Sequence, residues 1–473
     1  MRPAAHAHYE VQPIDCQNIF GRNVARGFSG FFRAADTHPV EEQKPKKEGC
    51  TTSVARQVVL KMPVSSIRHS TEAKAMKFII LVTDGMADYP STELDGRTPL
   101  QVARHPNIDH LLQRGVCGLV RTIPENMEAN TDVALLSVLG CNPREHYVGR
   151  GPLEAASMGI RLADDEVAFR FNLIEEENGI LKDFTAGHIK TDKARILVES
   201  LSEAFGKDEV RFYPGVSYRH IMILKGHSDK VHCYPAHDVV GKPIRDLWVT
   251  PREPEGERTA ELLNNLIKRS REILIDHPLH KEQKSNANMI WPWGPGKTPF
   301  FRTFKERYGL KTAVISAVDI VNGLGILMGM DVIKVPGVTG FIDTNYEGKA
   351  TYVLEALKTH DLVLVHVEAT DEVGHLGDAK LKVKTIEDLD RRLIGRLLEK
   401  ISGQYMITVL PDHFTSVTIK NHSADAVPFL VYCSEKPVAN QIRSFDEASV
   451  SKSGIVLERG YEFLDFFLGY GRS

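Results

Sequence analysis

The sequence lacks any apolar run long enough to cross a bilayer, which takes roughly 20 residues; its uninterrupted apolar runs are short, as at 78–82. It has six cysteines far apart and no CxxC pair, which indicates reduced thiols and an intracellular compartment, so we expect a cytoplasmic protein. A net charge of −3 gives no basic footprint for nucleic acid. These absences exclude membrane-spanning, disulfide-scaffold and nucleic-acid-binding classes. Hydrophobic content of 42% and charged content of 26% are typical of a globular protein.

Residues 1–75 differ in composition from the rest of the 473-residue chain. They contain 11 Lys and Arg against 7 Asp and Glu, a net charge of +4, which leaves −7 for the remainder. Periodicity is poor there, and 38–49 is rich in charge and proline, which is typical of a solvated linker. We expect a poorly structured N-terminal extension. A targeting segment and a misassigned upstream start are the alternatives.

From Met76 onward, short apolar strands alternate with helical segments. The run at 77–83 ends at Asp84, as a buried parallel strand would, and the spacing of apolar residues predicts one helix over 98–114. Further apolar runs lie at 312–316, 361–367 and 405–410. The pattern predicts an α/β fold with an open sheet sandwiched by helices, which holds its ligand outside the carboxyl ends of the strands.

The middle of the chain has a different character. Short strands at 166–173 and 220–225 accompany a charged amphipathic helix over 259–276, and we interpret 291–294 as a packed turn. This mixture predicts a smaller α+β domain inserted into the first one. The predicted divisions are the extension at 1–75, a metal-binding domain in two parts at 76–157 and 300–473, and an inserted substrate-binding domain at 158–299.

Nearly all candidate metal ligands fall in a few short segments at or after predicted strand ends. The segments are 83–85, 130–132, 371–375, 411–413 and 421–423. A hydroxyl, three aspartates and three histidines can supply two adjacent divalent ions, and Zn²⁺ or Mn²⁺ accepts that mixture more readily than Ca²⁺. Two such ions roughly 3.5–4 Å apart can clamp the attacking and leaving oxygens of a phosphoryl transfer. Each segment alone also fits a turn or a helix cap; the conjunction favours metal.

The order of these segments resembles the alkaline phosphatase superfamily. More narrowly, the chain resembles the archaeal type of 2,3-bisphosphoglycerate-independent phosphoglycerate mutase over essentially all of 76–473. The resemblance rests on DGMAD at 84–88, NTDVALLSVLG at 130–140, GRGPLEAASMGI at 149–160, VSYRH at 216–220, the glycine-rich stretch at 313–340, EATDEVGH at 368–375, PDH at 411–413 and NHSADAVPF at 421–429. It implies an alkaline-phosphatase-like sheet and a metal-dependent phosphoryl-transfer enzyme.

Residue by residue, the resemblance implies two divalent metal ions (Mn, Co, Zn or Mg) and no 2,3-bisphosphoglycerate. It places one metal on Asp84, Thr131, Asp412 and His413, and the other on Asp371, His375 and His422. Thr131 would be the nucleophile, where many relatives have serine; threonine keeps the hydroxyl and adds a methyl group.

The expected partner is a small phosphorylated substrate, not nucleic acid or a membrane, and a homo-oligomer is left open. A phosphoglycerate needs cations for its carboxylate and phosphate. The candidates are Arg150, Arg170, His188, Arg219 and Lys334. Most mutases of this type have arginine where this chain has His188, a group with a pKa near 6.5; each candidate also fits a surface ion pair.

Four functions share these motifs. The first is cofactor-independent interconversion of 3-phosphoglycerate and 2-phosphoglycerate through a phosphothreonine. The second is a homoserine kinase-like phosphotransferase, because some relatives with the AGHI, VSYRH and IWPWGPG segments have been proposed to have that activity. The third is metal-dependent phosphomonoester hydrolysis, and the fourth is a pseudoenzyme, which the complete ligand set disfavours.

Overall fold

The structure is a computed structural model that describes residues 76–470. Nearly continuous apolar runs, buried on both faces, form the central strands of the larger of its two main sheets. The extension predicted at 1–75 lies outside the described residues. The strands, in chain order, are β1 Lys77–Thr83, β2 Val116–Val120, β3 Glu166–Glu177, β4 Ile180–Asp183, β5 Val210–Tyr213, β6 Arg219–Lys225, β7 Val231–His232, β8 Thr250–Pro251, β9 Met289–Gly296, β10 Thr312–Ile315, β11 Asp331–Val332, β12 Leu362–Val367, β13 Tyr405–Leu410, β14 Phe414–Thr415, β15 His422–Ser423, β16 Val427–Cys433 and β17 Val456–Leu457.

The helices of the described residues are mostly short. They are α1 Pro99–Val102, α2 Pro106–Leu112, α3 Thr131–Val138, α4 Pro143–His146, α5 Arg150–Ser157, α6 Thr191–Phe205, α7 Glu257–Asp276, α8 Pro278–Lys281, α9 Phe304–Tyr308, α10 Asp319–Leu327, α11 Tyr346–Ala356, α12 Ala369–Leu376, α13 Ala379–Asp388, α14 Arg396–Lys400, α15 Glu447–Val450 and α16 Phe463–Tyr470. Tighter 3-10 turns lie at Thr92–Leu94, Ala236–Val239, Ile244–Asp246, Pro254–Gly256, Ser451–Ser453 and Gly460–Glu462, and a π-helical segment at Leu389–Gly395.

The larger sheet has the strand order β11-β10-β12-β1-β13-β16-β2-β17. Its first five strands run parallel, and β16 pairs antiparallel with both β13 and β2. Neighbouring residues of β1 face opposite ways: Ile80 packs into one apolar core with α3 and α10, and Ile79 packs into another with α2 and α11. The predicted open sheet between helical layers is confirmed.

The second main sheet comes from the middle of the chain. It has the order β4-β3-β6-β5, with β9 also paired to β3, and α6 and α7 cover one face through a separate apolar core. The predicted strands and the long helix of this region are confirmed within a few residues. The interpretation of 291–294 as a turn was wrong, because these residues lie inside β9 and pair with β3.

The single helix predicted over 98–114 is also wrong. The structure has two short helices there, separated at Ala103, which is extended. Pro106 is the first residue of the second helix, a position where proline is well tolerated. A proline also disfavours helical geometry in the residue before it. His105 therefore leaves the helical path and buries its ring against Asp109.

Candidate active site

Three parallel strands deliver carboxylates to one edge of the larger sheet. Strand β1 lies between β12 and β13, with Thr83 level with Val367 on one side and Val82 level with Leu410 on the other. The chain then leaves these strands through Asp84, Glu368 and Asp412. The sequence prediction of a site beyond the carboxyl ends of the strands thus has a geometric basis.

Gly85 permits the close approach of the loops at this edge. Its φ is +58°, a left-handed conformation that favours glycine, and a Cβ at this position would overlap Asp371 and Thr415. Its N–H donates to Asp412 Oδ1 at 3.0 Å. The turn after β1 is therefore packed directly against residues that follow β12 and β13.

The first candidate ligand group comprises Asp84, Asp412 and His413, all of them buried. His413 Nε2 lies 3.5 Å from Asp84 Oδ1 and 3.3 Å from Asp412 Oδ2. Neither of those two oxygens accepts a hydrogen bond from the described residues. Thr131 Oγ1, at the first residue of α3, lies 3.4 Å from the same nitrogen. The structure thus brings together all four residues predicted for one metal.

The second candidate group comprises Asp371, His375 and His422. The i, i+4 spacing on α12 puts His375 Nε2 3.3 Å from Asp371 Oδ2, and His422 Nε2 lies 3.3 Å from Asp371 Oδ1. The two imidazole nitrogens are 2.9 Å apart. His413 also lies within reach of Asp371 and His422, with its ring stacked on that of His422 at 4.0 Å. The two groups therefore adjoin and meet at His413.

Backbone carbonyls orient two of these histidines. His375 Nδ1 lies 3.1 Å from the carbonyl oxygen of Lys420, and His422 Nδ1 lies 2.7 Å from that of Ala129. A carbonyl only accepts, so each Nδ1 carries a proton and each Nε2 is turned toward the site. Metal-binding histidines are held in this way in many proteins.

The electrostatics of the site favour a cation. Burial, together with the charges of Asp412 and Asp371, raises the pKa of Asp84 well above its ordinary value. Burial opposes ionisation of Asp371 as well, yet hydrogen bonds from His375 and His422 hold its pKa well below the usual range. The hydrogen bond with Asp371 in turn raises the pKa of His375 to about 9. Several buried carboxylates thus crowd one place, and a divalent cation would offset their repulsion.

His366 is a residue of this site that the sequence analysis missed. It is fully buried in β12, and its Nε2 lies 3.1 Å from Asp84 Oδ2. Burial lowers its pKa to about 4, so the ring is neutral at physiological pH. A histidine within the otherwise apolar LVLVHV run was the available signal.

Arg150 lies beside the predicted nucleophile. It is the first residue of α5; its Nη2 donates to Asn130 Oδ1 at 3.3 Å, and its Nε lies 3.7 Å from Asp132 Oδ2. Both partners are sequence neighbours of Thr131. Asp132 is fully buried, and its charge, followed by the desolvation of Tyr147 itself, raises the pKa of Tyr147.

Arg170 and Arg219 lie on adjacent strands of the second sheet and extend the same cationic region. Arg170 is buried, donates to Glu154 Oε1 at 2.7 Å and covers the Trp293 ring at 4.7 Å, while Arg150 lies 5.5 Å from the same ring. The charges of Arg150 and Arg219 both act on Arg170, after burial, to lower its pKa. Trp293 and Glu154 are supporting residues that the sequence analysis did not identify.

Arg219 also faces the metal half of the chain. Burial raises the pKa of Glu368 to about 8, and the positive charges of Lys349 and Arg219 oppose this rise. Arg219 therefore connects the arginine group electrostatically to Glu368, the residue before α12.

The other two predicted substrate residues, His188 and Lys334, have no contact with the three arginines among the contacts of the described residues. His188 is exposed, has a φ of +51° and donates its backbone N–H to Thr185 Oγ1, and its charge helps to lower the pKa of Asp183. Lys334 is exposed in the loop after β11 and makes no ion pair with the residues the structure describes. Their roles stay predictions.

Comparison with known proteins identifies the family. A family profile described as 2,3-bisphosphoglycerate-independent phosphoglycerate mutase matches residues 113–280. A relative of that name from Methanosarcina barkeri is 46% identical over 397 residues, which cover 82% of this chain and 98% of the relative. The chain belongs to this family. The predicted membership of the 2,3-bisphosphoglycerate-independent phosphoglycerate mutases, an enzyme family, is thereby confirmed.

Solved structures agree with this assignment. A cofactor-independent phosphoglycerate mutase from Thermoplasma acidophilum is 30% identical, with a TM-score of 0.57, covering 83% of this chain and 99% of that one. A protein from Pyrococcus horikoshii is 29% identical, with a TM-score of 0.72, covering 84% of this chain and 98% of that one.

Among residues 76–470, no helix combines the length and apolar character that crossing a membrane requires.

Proposed function

We propose that the protein interconverts 3-phosphoglycerate and 2-phosphoglycerate without 2,3-bisphosphoglycerate. The position of Thr131 carries the proposal. Its hydroxyl lies 3.4 Å from His413, a member of the first candidate ligand group. Its sequence neighbours Asn130 and Asp132 both contact Arg150. A nucleophile, a metal site and an anion-binding cation thus occupy one place. Homologues that bear the mutase name support the choice of reaction.

The residues of the two ligand groups fit a pair of divalent cations. Buried, unpartnered Asp84 Oδ1 and Asp412 Oδ2, with imidazoles fixed so that Nε2 faces the site, are the donors that Mn²⁺, Co²⁺ or Zn²⁺ accepts. Asp84, Thr131, Asp412 and His413 would hold one cation, and Asp371, His375 and His422 the other. Bound cations would lower the pKa of the nucleophilic hydroxyl and offset the charge of the phosphoryl group.

In the proposed reaction, Thr131 Oγ1 loses its proton and forms a bond to the substrate phosphorus as the bond to the glycerate oxygen breaks, and that oxygen takes up a proton. The retained glycerate then accepts the phosphoryl group on its other hydroxyl, and the threonine is regenerated. Thr131 is the first residue of α3, where free backbone N–H groups and the helix dipole favour an attached phosphate. Arg150 lies where it can hold the phosphate through its planar guanidinium.

We further propose that residues 158–299 form the substrate-binding domain and that Arg170 and Arg219 hold the substrate carboxylate. Residues 158–299 contain a sheet and an apolar core of their own, which supports this division. Enclosure between the two halves would exclude water, which would otherwise hydrolyse the phosphothreonine. The cytoplasmic location and a homo-oligomeric state stay predictions.

A metal-reconstituted assay tests the function. Metal-free protein is incubated with 3-phosphoglycerate and with Mn²⁺, Co²⁺, Zn²⁺ or Mg²⁺ in turn, and formation of 2-phosphoglycerate is coupled to enolase. We expect turnover without 2,3-bisphosphoglycerate that a chelator abolishes. No turnover with any metal would contradict the proposal, and formation of phosphohomoserine from homoserine and a phosphoryl donor would replace it.

A further inference from the structure

We propose that Thr415 is a positioning residue that couples the two candidate ligand groups and fixes the tautomer of His413. Thr415 is fully buried in β14, and its strand pairs it with His422 in β15. Its Oγ1 donates to Asp371 Oδ1 at 2.5 Å and lies 3.2 Å from His413 Nδ1. One hydroxyl thus contacts a member of each group. The inference rests on the metal sites proposed above.

The proton count at this hydroxyl decides the direction of both hydrogen bonds. A threonine hydroxyl has one proton, and an ionised carboxylate only accepts. Because the Thr415 proton goes to Asp371, the oxygen must accept from His413, so His413 Nδ1 carries a proton. Nε2 of His413 is then left with a free lone pair, and it faces the Asp84 and Asp412 carboxylates.

This assignment gives His413 the same orientation as the other two histidines of the site. His375 and His422 are fixed at Nδ1 by backbone carbonyls, whereas Nδ1 of His413 contacts a side-chain hydroxyl, and the His413 ring also has a hydrogen bond with the Phe414 backbone. The link can therefore be cut by a substitution that removes only the hydroxyl.

Buried contacts keep Thr415 in place. Its N–H donates to the carbonyl of Ala87 at 3.1 Å, and its own carbonyl accepts from Lys382 Nζ at 2.5 Å. Lys382 is fully buried and also pairs with Asp88 Oδ2 at 2.9 Å. Since Asp88 belongs to the same loop as Asp84, this network ties the loops after β1 and β13 to α13. The hydroxyl of Thr415 is thus held between Asp371 and His413.

Thr415→Val removes the hydroxyl at nearly constant volume, and Thr415→Ser retains it. We expect Thr415→Val to weaken Mn²⁺ binding to the metal-free protein, measured by titration calorimetry, by about 10- to 100-fold. Thr415→Ser should stay close to wild type. Thr408→Val is the matched control, because Thr408 is equally buried but its hydroxyl donates to the Leu430 carbonyl rather than to a proposed ligand.

A second measurement needs no Thr415 variant. In metal-free wild-type protein labelled with ¹⁵N-histidine, the His413 signals, assigned by their loss in His413→Gln, should show a proton on Nδ1. A His413 ring protonated at Nε2 and not at Nδ1 would overturn the proposal, as would wild-type Mn²⁺ affinity in Thr415→Val. If wild-type protein binds no Mn²⁺, the metal sites of the proposed function fail, and the tautomer still decides the role of Thr415.

Discussion

Arg150 donates from Nη2 to Asn130 Oδ1, 3.3 Å away, and so holds its guanidinium beside the residue that precedes Thr131. Its Nε faces Asp132, the residue that follows Thr131, at 3.7 Å. Arg150, at the start of α5, therefore contacts both sequence neighbours of the proposed nucleophile at the start of α3. In the proposed function, a phosphoryl group on Thr131 would lie near the Arg150 guanidinium.

Replacing Arg150 should therefore impair transfer strongly. We expect Arg150→Ala to lower kcat/KM about 10- to 100-fold, because a charge-assisted hydrogen bond contributes about 1.5–3 kcal/mol. Arg150→Lys should recover only part of this loss, since lysine lacks the planar fork. Steady-state kinetics with 3-phosphoglycerate measures both.

Arg245→Ala is the control for loss of a positive charge, because the Arg245 side chain is 84% exposed. It should leave kcat/KM unchanged. Equal losses in Arg150→Ala and Arg245→Ala would show that Arg150 has no specific role.

Removing the Thr131 hydroxyl should abolish the reaction. We expect Thr131→Ala to lower kcat about 10³-fold or more, as loss of a covalent nucleophile does, while Thr131→Ser keeps measurable turnover. Mass spectrometry of protein quenched during turnover should find phosphate on residue 131 in wild type and in the serine variant. Normal turnover of Thr131→Ala would refute the covalent route.

Glu447 gives the fold a pH dependence that is separate from the metal ligands. It accepts hydrogen bonds from the Asp88 backbone N–H at 2.9 Å and the Thr98 hydroxyl at 2.7 Å, and burial raises its pKa to about 7. A carboxyl whose pKa is higher in the folded state stabilises the fold below its unfolded pKa, near 4.5. That stabilisation is lost as pH rises through about 7.

Urea unfolding of metal-free protein between pH 5 and pH 8 tests this behaviour. The free energy of unfolding of wild type should fall relative to that of Glu447→Gln as pH rises through this interval, because glutamine does not ionise. Glu435→Gln, at an exposed position, should run parallel to wild type. Parallel curves for wild type and Glu447→Gln would contradict the assignment.

Metal binding should stabilise the folded protein. A cation that binds only the folded state at 100 times its Kd adds about 2.7 kcal/mol to the free energy of unfolding. We therefore expect Mn²⁺ to raise the Tm of metal-free protein, and Asp371→Asn to reduce the rise because it removes a charged ligand. A Tm that does not respond to Mn²⁺ would argue against the proposed cation sites.

The sequence predicted the residues of this site best where chain order determines geometry. Asp84, Asp371 and Asp412 follow apolar runs, and parallel strands necessarily bring such ends to one edge. His366 was not predicted as a site residue because it lies inside a strand, where a histidine in an apolar run resembles a core residue. Its proximity to Asp84 depends on strand register, which one sequence does not contain.

Local patterns failed where two signals competed. Apolar spacing over 98–114 favoured one helix, but Pro106 starts a second one. The residues at 291–294 contain proline and glycine, which are typical of turns, yet pairing with β3 keeps them in a strand. Trp293 lies in that strand and contacts Arg150 and Arg170 through its ring. These contacts could not be predicted from local propensity.

In the proposed function, the phosphoryl group moves within one site and is retained. The most direct test incubates metal-loaded protein with 3-phosphoglycerate labelled with ³²P, without 2,3-bisphosphoglycerate, and follows the label. We expect the label to appear in 2-phosphoglycerate and, transiently, on the protein. Label released steadily as inorganic phosphate, with none in 2-phosphoglycerate, would contradict it and identify a hydrolase.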